Sequence, residues 1–156
     1  MIKAIIFDFS RVLLFPLDKT YSGSLNELHK RHLEEQGYSV FHFFQINTDL
    51  LRQIEKITHK VNVYILTSET IQESPEFDPY LHEFKKVYSA MKIGFTKKDP
   101  QLYKWILNDL QLEPREVLFI DDSEENISAA VEVGLKTIQY KNNKELFDQL
   151  GKYILL

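Results

Sequence analysis

Apolar residues along this chain fall into two patterns, short unbroken runs and stripes at helical spacing. Ala4-Ile5-Ile6-Phe7, Val61-Asn62-Val63-Tyr64-Ile65-Leu66 and Glu116-Val117-Leu118-Phe119-Ile120 are short runs rich in β-branched and aromatic residues, the signature of buried strands. Val87-Tyr88-Ser89 and Lys136-Thr137-Ile138-Gln139-Tyr140 read as two further strands. Between the runs the period changes to that of helices. Leu25, Leu28, His32 and Leu33 form one stripe, with Gly37 as a stop, and Leu50, Leu51, Ile54 and Ile57 form a second over 46–58. Further helices are expected near 80–85, over 100–110 with Asp99 as N-cap and Pro100 in the first turn, and after Ser123 up to Gly134. In that last helix Ile127, Ala130 and Val131 are expected to face the core, and Asn143 to cap a final helix over 144–150.

Strands that alternate with helices imply βαβ units, and hence an α/β fold: a three-layer Rossmann-like parallel sheet of about five strands. Right-handed crossovers bring the C-terminal ends of all parallel strands to one edge, where such sheets bind ligands. Asp8, Thr67 and Asp121-Asp122 all stand at strand ends. A carboxylate there either opens a turn or faces a crevice, and the recurrence of polar ends on one edge favours the crevice. Val12-Leu13-Leu14-Phe15-Pro16 leaves the first strand, and Pro16 argues against a continued helix. The expected division is an α/β core of residues 1–14 and 59–156, with residues 15–58 as a small, mostly helical insertion. Its aromatic cluster of Tyr38, Phe41, Phe43 and Phe44 is read first as core and second as a surface for a homodimer.

Composition narrows the classes. The 156 residues are 44% hydrophobic and 27% charged, a globular balance within the range of one domain. A net charge of −4 offers no basic field for nucleic acid, and no run approaches the roughly 18 apolar residues of a membrane span. Without cysteine there are no disulfides or thiolate ligands, which fits a cytoplasmic protein, and the N-terminus runs directly into a strand without signal-peptide architecture. His29 and His32 share a helix face but lack a third metal ligand nearby in sequence, and Lys85-Lys86 and Lys97-Lys98 are too short to form a nucleic-acid surface.

The strand-end residues compose a chemistry. A carboxylate nucleophile splits phosphate-ester cleavage into two steps through an aspartyl-phosphate. Its repulsion of an anionic phosphate calls for a magnesium ion on oxygen ligands, a positive point charge and a hydroxyl donor. Phe7-Asp8-Phe9-Ser10-Arg11-Val12-Leu13, Ile65-Leu66-Thr67, Gly94-Phe95-Thr96-Lys97-Lys98-Asp99-Pro100 and Phe119-Ile120-Asp121-Asp122-Ser123 with Asn126 occur in that order. Together they resemble the four motifs of the haloacid dehalogenase-like hydrolase superfamily, in its phosphatase-type branch with a cap inserted after the first strand. The resemblance covers residues 3–15 and about 61–140. It implies Asp8 as nucleophile, Thr67 and Ser68 on the phosphoryl group, Lys97 as the phosphate-binding lysine, and magnesium held by Asp8, Asp121, Asp122 and the carbonyl of Ser10. The implied partner is a small phosphorylated metabolite.

Two positions depart from the family pattern. Lys98 replaces a usual proline, and Ser10 stands where phosphatases of the family carry a second aspartate that protonates the leaving group and then activates water. A serine cannot do that near neutral pH, and loss of such a group typically costs about 10²–10⁴-fold in rate. Three readings follow: a slow phosphatase or phosphotransferase, a catalytically inactive binding or regulatory protein on the same fold, or a 2-haloacid dehalogenase. The dehalogenases also lack the second aspartate, but they need no magnesium, so Asp121-Asp122 favours phosphate.

Overall fold

Alternate residues of the first strand, β1 (Ala4–Asp8), feed two separate layers of core. In the computed structural model, which describes residues 1–154, β1 is fully buried at the centre of a five-stranded parallel sheet. Its neighbours are β4 (Asn62–Thr67) and β6 (Val117–Asp121), with β5 (Val87–Ser89) and β7 (Lys136–Gln139) outside them, in the order β5-β4-β1-β6-β7. Burial on both faces explains why β1 and β6 read as continuous apolar runs rather than alternating ones.

Ile5 and Phe7 face one layer, joined by Leu50, Ile54 and Ile57 of α2 (Thr48–Ile57), by Leu25 of α1 (Leu25–His32) and by Leu146 and Leu150 of α7 (Asn143–Leu150). Ala4 and Ile6 face the other, against Leu102, Tyr103 and Ile106 of α5 (Pro100–Leu110) and Ala129 and Ala130 of α6 (Glu124–Val133). Two short helices, α3 (Asp78–Leu81) and α4 (Ala90–Ile93), flank β5. This is the expected three-layer α/β architecture. Asp99 caps α5 through its side chain, Pro100 opens it, Ser123 caps α6, and Gly134 closes α6 at φ 100°.

Several local expectations are corrected. The insertion after β1 is not all helical: β2 (Leu14–Pro16) and β3 (Phe44–Ile46) pair antiparallel in a two-stranded sheet of their own. Three-residue strands carry too little pattern to be read, and Pro16 survives because this ribbon does not require its missing N–H. Of the residues expected inward on α6, Ala130 is buried and Ile127 packs half-buried on the core, but Val131 is 53% exposed, and Asn126 and Ala129 complete the inward face. Asn142 rather than Asn143 caps α7, accepting from the Glu145 amide. The helix expected near 80–85 ends at Leu81.

Hydrophobic residues of the insertion share one core with the sheet, and hydrogen bonds tie the insertion to the segment after β4. Asn26 Oδ1 accepts from the Ile71 amide at 3.1 Å, Lys30 pairs with Glu69, and Glu76 accepts from the Val40 amide at 3.0 Å and from the Ser39 hydroxyl. Of the aromatic cluster, Phe44 is buried, Tyr38 and Phe43 are half-buried, and Phe41 lies edge-on to Phe77 and Tyr80 at the surface. None of the helices among the described residues is long and apolar enough to cross a membrane.

Candidate active site

Register decides which strand ends meet. Phe7 lies opposite Ile120 and Asp8 opposite Leu66, so Asp8 and Asp121 end adjacent strands side by side and Thr67 stands one residue further on. Asp8 is 3% exposed and Asp121 is fully buried. Lys97, arriving in the loop between α4 and α5, is buried with them. Its Nζ lies 2.6 Å from Asp8 Oδ1 and 2.8 Å from Asp121 Oδ2. The Phe9 amide donates to the same Asp8 oxygen at 2.7 Å. Asp121 accepts from the Ser123 amide at 2.8 Å and from Asn126 Nδ2 at 3.1 Å.

Carboxylate oxygens of Asp8, Asp121 and Asp122 come within 4.8 Å of one another. Burial pushes the Asp8 carboxyl well above its ordinary 3.8; Lys97 opposes this, while Asp121 and Asp122 add to it. Burial also raises Asp122, with Asp121 contributing. For Lys97 burial favours proton loss, but Asp8 and Asp121 outweigh it and hold the ammonium above its ordinary 10.5. A paired acid and base that both shift upward look inconsistent until the charges are counted: one ammonium faces three carboxylates. Lys97 keeps its proton, and the acids remain under-compensated. An oxygen-lined cluster with excess negative charge suits a hard divalent cation.

Two buried hydroxyls, Ser10 Oγ and Thr67 Oγ1, have no hydrogen-bond partner among the described residues. Buried hydroxyls are nearly always bonded, so both are open to a ligand. Ser68 is exposed; its carbonyl accepts from the Met91 amide at 3.1 Å. It lines a cavity of about 560 Å³ together with Met91, Phe95, Lys97, Lys98 and Asn126. Lys98 itself pairs with Glu125 at the rim. His29 and His32 do not form a metal pair: His29 Nδ1 is 2.8 Å from Tyr38 Oη, and His32 Nδ1 is 2.7 Å from Glu35 Oε1.

Three supporting residues escape sequence reasoning. Tyr103, fully buried on α5, donates to the Lys97 carbonyl at 2.6 Å and contacts the Asn126 carbonyl at 3.3 Å, tying the lysine loop to α6. Asn126, quoted only as part of a motif, holds Asp121. Arg11 adopts φ 64°, a region that L side chains rarely occupy, and its guanidinium donates to the carbonyls of Tyr21 and Gly23. The only sequence signal for Tyr103 was an aromatic on the inner stripe of a helix, which packing alone would explain.

The family model for haloacid dehalogenase-like hydrolases matches residues 17–140, and the chain belongs to that family. A curated relative, D-ribitol-5-phosphate phosphatase of Bacteroides thetaiotaomicron, is 28% identical over 76% of this chain and 62% of its own length. Flavin mononucleotide hydrolase 1 of Arabidopsis thaliana is 25% identical over 74% of this chain and 46% of its own. The chain thus spans less than two thirds of the length of these relatives. Among solved structures, a family enzyme from Bacteroides thetaiotaomicron in complex with magnesium and inorganic phosphate superposes with a TM-score of 0.69 at 21% identity, over 94% of this chain and 100% of that one. A 2-haloacid dehalogenase from Pseudomonas syringae gives 0.67 at 14%, over 99% and 100%. At such identities the likeness establishes the fold alone.

Proposed function

We propose that this protein is a magnesium-dependent phosphate-monoester phosphatase or phosphotransferase that acts on a small phosphorylated metabolite through an aspartyl-phosphate on Asp8. The observation that carries the reading is the buried lysine bridge, with Lys97 Nζ within 2.8 Å of both Asp8 and Asp121 beside the unpartnered Thr67 hydroxyl. Asp8, Asp121 and Asp122 would hold the cation with the Ser10 carbonyl. Bound there, magnesium would supply the charge that lets an anionic phosphate approach a carboxylate. Lys97 orients the phosphoryl group by charge and Thr67 by its hydroxyl, while the Phe9 amide fixes one Asp8 oxygen so that the other is free to attack.

Excess carboxylate weighs against dehalogenation, which has no use for three acids within 4.8 Å. The catalytically inactive binding protein is favoured by one observation, Ser10 in place of a proton-transfer group. A phosphate-ester panel run with and without magnesium, beside Asp8→Asn, separates the readings. Magnesium-dependent turnover lost in Asp8→Asn supports the enzyme. Phosphate binding without turnover supports the binding protein, and metal-free halide release from a 2-haloacid supports dehalogenation. Within this reading residues 15–58 serve as a reduced cap on the core of 1–14 and 59–156. Hydrogen bonds tie it to residues 69–77, and Phe41, the exposed member of its aromatic cluster, would make the homodimer contact.

A further inference from the structure

Proton exchange is the missing part of this site. Ser10, two residues past the nucleophile, has a buried hydroxyl without a partner and no proton to trade near neutral pH. Neighbouring groups do not replace it. The Arg11 guanidinium is anchored on the carbonyls of Tyr21 and Gly23. Lys97 is committed to Asp8 and Asp121. Glu69, just past Ser68, is paired with Lys30.

The histidines lie elsewhere. His29 meets Tyr38, His32 meets Glu35, His42 accepts from the Ser39 amide, and His82 meets the Pro79 carbonyl. His59 is exposed before β4, at the edge of the sheet opposite the site. Asp122, the remaining carboxylate, belongs to the cation-holding cluster. The next residue along the chain, Arg11, directs its guanidinium to the Tyr21 and Gly23 carbonyls of the insertion.

We propose that the site accepts phosphoryl groups from acyl phosphates, donors whose leaving group departs as a stable anion, and that the resulting aspartyl-phosphate on Asp8 is long-lived. The inference rests on Asp8 as nucleophile. In the first step Asp8 Oδ bonds to phosphorus, the bond from phosphorus to the acyl oxygen breaks, and a carboxylate leaves with the electron pair. No proton moves in this step. An alkyl phosphate would have to expel an alkoxide, which needs a proton that Ser10 cannot give. In the second step water attacks phosphorus, the bond to Asp8 breaks with its carboxylate taking the electron pair, and, with no base positioned to take the water's proton during attack, that proton ends on the released phosphate. The intermediate therefore outlasts that of a site with a full acid–base pair.

The test uses the full chain with magnesium, mixed in turn with acetyl phosphate and ethyl phosphate and followed by intact-protein mass spectrometry and released phosphate. A single phosphoryl adduct is expected with acetyl phosphate, absent in Asp8→Asn, with ethyl phosphate reacting more slowly. Ser10→Asp should shorten the adduct's lifetime and narrow the preference for acetyl over ethyl phosphate by about 10²–10⁴-fold. Turnover of ethyl phosphate as fast as acetyl phosphate, with no adduct but still abolished by Asp8→Asn, overturns this inference and leaves the phosphatase reading standing. Absence of both adduct and turnover with every donor overturns the nucleophile itself, and the inference with it. Should Ser10→Asp fold poorly, the comparison of donors on the wild-type chain still decides.

Discussion

Lys97 Nζ and Asp8 Oδ1 lie 2.6 Å apart, and both side chains are almost entirely removed from solvent. Charges this deeply buried are tolerated only when paired, and breaking such a pair from one side typically costs about 3–5 kcal/mol. Lys97→Met should therefore destabilise the chain on that scale and also abolish phosphate binding. Chemical denaturation and phosphate titration check it; a variant as stable as wild type would contradict the bridge.

The acids of the site give stability a sloping pH dependence. Asp8 and Asp122 hold their protons more tightly folded than unfolded, so above the ordinary carboxylate value of 3.8 the folded chain binds more protons than the unfolded one. Stability of the metal-free protein then falls as pH rises from 3.8 through the raised folded values. Lys97 acts at the other end: its contribution is full below 10.5 and is lost as pH rises through its raised folded value. Magnesium should stabilise the protein at neutral pH, by about 2.7 kcal/mol at a hundredfold excess over Kd, and much less in acid. Thermal melts with magnesium and with chelator across pH measure this, and identical melts at neutral pH would count against the cation site.

Tyr103→Phe removes one oxygen from a fully buried ring. It leaves the carbonyls of Lys97 and Asn126 without that donor, an expected cost of about 1–3 kcal/mol. Because the ring still packs against Phe119, turnover should fall through displacement of Lys97 rather than through loss of fold. Unchanged turnover with lowered stability would confine Tyr103 to a packing role.

Phe77 is fully buried and lies edge-on to Phe9, 5.3 Å between ring centres, and to Phe41 at 5.8 Å. Phe77→Ala should cost about 3–5 kcal/mol in chemical denaturation. Since the Phe9 amide holds Asp8, activity should fall in the fraction that remains folded.

Arg11→Gly sets two effects against each other. Releasing a side chain from φ 64° recovers about 1–3 kcal/mol of backbone strain, while losing charged hydrogen bonds to Tyr21 and Gly23 costs a similar amount. Global stability should change by less than about 1 kcal/mol, yet amide exchange over residues 21–23 should accelerate. Unchanged exchange there would mean that the guanidinium does not hold that loop.

Much of the candidate site was legible because strand ends are legible. Asp8, Thr67 and Asp121 close runs whose burial the composition already demands, and Lys97 sits at a recognisable spacing before the capped start of α5. The ribbon of β2 and β3 was not legible: its pairs, Leu14 with Ile46 and Pro16 with Phe44, are far apart in sequence and each strand is too short to carry a period. Nor was the outward turn of Val131, because an apolar residue at helical spacing meets the core only if the neighbouring layer reaches it.

Local periodicity and the handedness of crossovers were enough for the alternation of strands and helices, the parallel sheet, and the polar residues on its C-terminal edge. The packing of distant segments is what brings one buried lysine between two of three carboxylates and sets Tyr103 and Asn126 to hold that arrangement. Those are matters of a few ångströms between segments distant along the chain, which register and packing set and local pattern does not encode.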